Sequence, residues 1–112
     1  MKNLINYFLI TLLFFSFCKK AESGDGTPAC IRHKIISFEK DALCSDPSVD
    51  EYEFQSKTVY VFSPGSCGAD LGASVYDSNC NNLGGLGGLR GNTQIEGQDF
   101  STATFIKTIW EK

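Results

Sequence analysis

Histidine, methionine, tryptophan and proline are scarce in this 112-residue chain, which has one His, one Met, one Trp and three Pro. With His33 as the single histidine and no C-x2-C pair, the ligand spacing of a zinc site is missing. Basic residues are in the minority, 10 Lys+Arg against 13 Asp+Glu, for a formal charge of −3. A mildly acidic chain has no electrostatic footprint for nucleic acid, and anionic lipid headgroups are equally poor partners. No apolar run reaches the roughly 20 residues that a membrane-crossing helix needs. No Lys-Ser or Lys-Thr closes a glycine loop, so no nucleotide site is expected.

What is present begins with Met1-Lys2-Asn3 and an apolar run over residues 4–17, interrupted by Asn6, Thr11 and Ser16. A basic start and a short apolar stretch have the form of an export signal. Phe15-Ser16-Phe17-Cys18 resembles a lipobox, the site where bacterial lipoprotein signal peptidase cuts before an acylated cysteine. Ser16 fits that pattern, whereas Phe17 stands where Gly, Ala or Ser is usual. The resemblance implies a signal peptide over residues 1–17, lipidation at Cys18 and a membrane-anchored lipoprotein facing the periplasm or the cell exterior. Ordinary cleavage after Ala21-Glu22-Ser23, or an uncleaved anchor, are the alternatives. Residues 18–27 are polar and read as a tether between lipid and domain, with acyl chains contributing about 0.8 kcal/mol per buried methylene.

A chain starting at Cys18 has 95 residues, enough for one domain over residues 28–112. Four cysteines besides Cys18 remain: Cys30, Cys44, Cys67 and Cys80. In an oxidising envelope so short a chain gains from disulfide staples, because its core alone is marginal. Three pairings are open, and sequence does not choose among them.

Thr27-Pro28 is a helix-start signal, with Thr as N-cap, and Ile31, Ile35, Phe38 and Ala42 follow at helical spacing, predicting a helix over 28–41. Residues 51–55 alternate polar and aromatic, the pattern of a half-buried strand. Thr58-Val59-Tyr60-Val61-Phe62 is β-branched or aromatic throughout, which predicts a central strand after a tight Ser56-Lys57 turn. Residues 73–76 form a short third strand and 102–110 a last one. Residues 83–92 hold five of the eleven glycines and are expected to be irregular. The sum is an α+β domain, one N-terminal helix packed on an antiparallel sheet of three or four strands, disulfide-stapled.

Candidate sites are few. The loops over residues 64–71 and 83–92 are the candidate partner-binding segments, the second through Leu86, Leu89 and Arg90. Asp77, Asn79 and Asn81 copy the first three ligand positions of a calcium loop. However, Asn82 replaces its glycine and Gly88 its bidentate Glu, so turn chemistry is the favoured reading. Asp46, Asp50, Glu51 and Glu53 form an acidic cluster, read as the solvated face of an edge strand. His33 lies off the apolar stripe and is read as a surface residue. No catalytic residue, cofactor or metal is assigned.

Pro28-Ala29-Cys30-Ile31, residues 58–62, Cys67 and Val75-Tyr76-Asp77-Ser78-Asn79-Cys80 together resemble a domain-of-unknown-function family of small bacterial lipoproteins, over about residues 28–100. The chain departs from that family in having Ser66 beside Cys67 instead of paired cysteines, and in carrying Cys44. The resemblance implies compartment and domain limits but no activity. The expected function is a small binding module of the envelope or cell surface, with an envelope or extracellular protein as partner. The alternatives are a secreted protease-inhibitor-like module and, with least support, a hydrolase or redox enzyme.

Overall fold

The computed structural model describes residues 26–68 and 70–112. The expected signal peptide, Cys18 and the tether up to residue 25 lie outside the described residues. Among the described residues one α-helix, α1 (Ala29–Asp41), precedes seven strands: β1 (Ser48–Phe54), β2 (Lys57–Ser63), β3 (Gly72–Asp77), β4 (Asn82–Gly87), β5 (Gln94–Ile95), β6 (Gln98–Asp99) and β7 (Thr104–Glu111). A 3-10 turn over Phe100–Thr102 leads into β7. The main sheet has five antiparallel strands in the order β4-β3-β2-β1-β7, and β5 and β6 make a separate hairpin.

The helix forms where its apolar stripe predicted. Ile31 is fully buried, and Ile35 and Phe38 pack beside it against Val49, Tyr60 and Phe62. Its start differs from the expectation: Pro28 is the N-cap and no side chain caps the helix. Thr27, expected in the tether, is buried instead, and its carbonyl accepts a hydrogen bond from the Arg32 guanidinium. At the other end Lys40 sits in the last turn, favourable to the helix dipole, and Ala42 turns extended.

Each strand of the sheet alternates between two faces. Val49, Tyr60, Phe62 and Tyr76 face α1. On that side Phe38 meets Phe62 edge-on at 5.2 Å and Trp110 at 6.1 Å, while Phe62 meets Tyr76 at 5.2 Å. The opposite face carries Phe54, Val59, Val61 and Val75, covered by Ile95 and Phe100 from the segment that follows β4. Strand β2 is thus apolar on both sides because both sides are covered.

Four expectations are corrected. The sheet has five strands, not three or four, because β4 runs through the glycine-rich stretch expected to be irregular. Glycine weakens a strand by its backbone freedom, but here the missing side chains make room. Gly84 has φ +140°, and a Cβ there would lie 3.3 Å from Ile95 Cδ1. The β1–β2 turn is Gln55-Ser56, with φ +50° and +62°, because pairing Phe54 with Lys57 leaves those two residues in a left-handed two-residue turn. Finally, β1 lies inside the sheet, so the acidic cluster is not on an edge strand. The edges are β4 and β7, and β7 carries two register shifts against β1, a common edge protection.

Candidate interaction surface

All four cysteines of the domain pair, Cys30 with Cys80 and Cys44 with Cys67, at Cα separations of 6.1 and 5.4 Å. The inner bridge is nested within the outer. One ties the first turn of α1 to the β3–β4 turn, and the other ties the segment after α1 to the β2–β3 loop. The helix is therefore fastened covalently near both ends.

The β3–β4 turn is organised by Asp77. Its Oδ1 accepts from the Asn79 and Asn81 backbone N–H groups, both at 2.9 Å, and its Oδ2 accepts from the Asn81 side-chain amide at 2.9 Å. These bonds, led by the Asn81 amide, hold the Asp77 carboxyl below its ordinary range. The calcium candidates Asp77, Asn79 and Asn81 are thus brought together as a self-bonded turn. Among the described residues no three His, Cys, Asp or Glu side chains gather in metal-holding geometry.

The acidic residues do not converge. Asp46 accepts from the Ser66 hydroxyl (2.5 Å) and the Ser66 backbone N–H (3.1 Å), which lowers its carboxyl pKa, while Asp50 accepts from the hydroxyl of Thr108, its register partner on β7, at 2.7 Å. Glu53 is exposed, and His33 is exposed on α1 as expected.

The three partner-binding candidates separate. Leu86 turns onto the sheet and packs on the Phe54–Val59–Val61–Val75–Ile95 cluster. Leu89 is 86 % exposed and Arg90 is exposed beside it. Their turn is nonetheless ordered by hydrogen bonds. Gly87 and Asn92 exchange backbone bonds of 2.8 and 3.1 Å, Gly91 N–H donates to Gly88 O at 3.1 Å, and the Asn92 amide donates to the carbonyls of Gly85 and Gln94. These bonds also occupy the outer edge of β4.

Behind this turn lies an open groove of about 740 Å³, lined by Tyr52, Leu86, Asn92, Asp99, Phe100 and Ala103, with Gly87 and Gly91 on its rim. Its aromatic wall is built by Phe100, whose ring meets Tyr52 at 5.2 Å and Phe54 at 4.9 Å. Partial burial pushes the Tyr52 phenol pKa up, with the Asp50 charge adding to it. Asp99 caps the 3-10 turn by accepting from Ser101 N–H at 2.9 Å, which lowers its carboxyl pKa. Phe100, Asp99 and Ile95 carried no sequence signal as site or core residues. The one usable hint was Asp99-Phe100-Ser101, an N-cap residue beside an aromatic.

No helix of the described residues is long and apolar enough to cross a membrane. Neither the curated proteins nor the solved structures compared with the chain gave a significant match. A family model does match, over residues 37–112, a span that takes in the end of α1 and the strands β1 to β7 but leaves out Cys30. The chain therefore belongs to the DUF6970 family, a domain of unknown function.

Proposed function

We propose that this protein is an exported, lipid-anchored module of the cell envelope or surface, attached through Cys18, which binds another envelope or extracellular protein. The observation that carries the binding reading is Leu89, 86 % exposed at the tip of a turn whose backbone is already hydrogen-bonded into place. A large apolar side chain held out to solvent on an ordered turn has its ordering cost met before any partner arrives, which favours recognition. Arg90 adds a charged contact, and the adjoining Tyr52–Leu86–Phe100 groove gives the partner an apolar surface to cover. Two disulfides support the oxidising compartment that export implies.

The binding test places a photo-crosslinking residue at position 89 in the bacterial envelope and, as control, at position 43, where Leu43 is 81 % exposed. A discrete adduct from position 89 that disappears with Arg90→Glu supports the reading. The same products from both positions, or none from 89, overturn it. Intact mass of the envelope-purified protein tests the anchor: a chain beginning at an acylated Cys18 supports it, and an unlipidated chain beginning at Gly24 replaces it with a diffusible secreted factor.

A further inference from the structure

The two bridges meet solvent differently. Cys30 and Cys80 are both half-buried, and Cys80 packs against the Ile31–Val49–Tyr60–Phe62 cluster. In the other bridge the partners are unequal: Cys44 is 5 % exposed, whereas Cys67 is exposed on the β2–β3 loop. Gly65 closes over the Cys44 side, where an added Cβ would lie 2.6 Å from Cys44 Cβ. A thiolate opens a disulfide by attacking one sulfur while the other departs, so access decides which sulfur is attacked. Here access selects Cys67 and makes Cys44 the leaving group. The Cys67 backbone N–H donates to Cys44 Sγ at 3.3 Å. That donor points at the atom on which negative charge appears, and a hydrogen bond to a thiolate is stronger than one to a neutral sulfur.

We propose that the Cys44–Cys67 bridge is a thiol-exchange site, modified at Cys67 by a small external thiol. The incoming thiol first gives its proton to solvent, and its thiolate then bonds to Cys67 Sγ. The Cys44–Cys67 bond breaks, its electron pair leaves on Cys44 Sγ, and that thiolate takes a proton from solvent. One disulfide is consumed and one is formed. A second thiolate attacking the mixed disulfide releases the small-molecule disulfide and leaves two thiols in the protein. Exchange removes the covalent link between Cys67 on the β2–β3 loop and the segment after α1, and leaves the bonds from Ser66 to Asp46 and from the Cys67 N–H to Cys44 Sγ. The inference is independent of the binding reading, since it uses none of the Leu89 turn.

The experiment exposes the native full-length chain to 2-mercaptoethanol, quenches with acid at intervals, alkylates free thiols and maps the cysteine peptides. The expected product carries the mercaptoethanol adduct on Cys67 and the alkyl label on Cys44. It forms about tenfold faster than any opening of Cys30–Cys80. Equal rates for the two bridges, an adduct on Cys44, or no opening short of unfolding each overturn the proposal.

Discussion

The two faces of the sheet are buried by different means. On one, a regular helix supplies a stripe of Ile31, Ile35 and Phe38, of which Ile31 alone is fully buried, and disulfides hold it near both ends. On the other, an irregular segment with a two-residue hairpin and a 3-10 turn drops Ile95 and Phe100 onto four buried sheet residues, without a covalent link. The lesson is that each layer contributes one fully buried residue, Ile31 or Ile95, but the helical layer is stapled as well. The irregular layer leans on close fit, for which β4 has no side chain at Gly84.

The largest expected effect tests the staple. Replacing Cys30 and Cys80 together with Ser frees a loop spanning 50 residues and should cost about 4 kcal/mol by chain entropy. Hydrogen exchange should rise in α1 more than in β5 and β6; a rise of equal size in both layers would break the comparison. Next, Ile95→Ala should lose about 3 kcal/mol in urea unfolding, as a fully buried aliphatic residue without room to collapse. A loss below about 1 kcal/mol, the scale of a surface change, would make the irregular layer peripheral. Gly84→Ala should cost about 1–2 kcal/mol, from a positive φ and from contact with Ile95, and combining it with Ile95→Ala should recover the contact part. Strict additivity in that double variant would show that the glycine answers to the backbone alone.

The smallest effect is electrostatic. The Asp77 carboxyl is held below its ordinary value of 3.8 in the folded chain. Its contribution is therefore present above the unfolded pKa and is lost as pH falls through the lower folded value. Asp77→Asn keeps an acceptor for the turn N–H groups but removes the charge, so thermal unfolding followed from about pH 5 to pH 2 should show a shallower acid decline than the parent. An unchanged slope would assign the acid response to Asp46 and Asp99, which are lowered in the same way.

The helical layer was legible in the sequence because its contacts repeat at the spacing of the helix itself, 31, 35 and 38. The β1–β2 hairpin was legible for the same reason, with polar-aromatic alternation in one strand and apolar residues on both sides of the other. The irregular layer was not. Ile95 is a lone apolar residue between Gln94 and Glu96, with no period to mark it. Strand β4 reads as a loop because glycine's use there depends on Ile95, ten or so residues away in the chain. The candidate surface was half legible: exposed Leu89 and Arg90 were singled out, but the aromatic wall that Phe100 builds beside them was not.

By itself, then, the sequence determined the elements whose burial pattern is periodic and the turn chemistry of Asp77, since these depend on near neighbours. The tertiary structure alone decided which cysteines pair, which strands lie at the edges, and which glycines belong to a strand. Each of these depends on atoms brought together from beyond the reach of local periodicity, such as Cys30 with Cys80 or Gly84 with Ile95. Local periodicity carries no record of such distant fits.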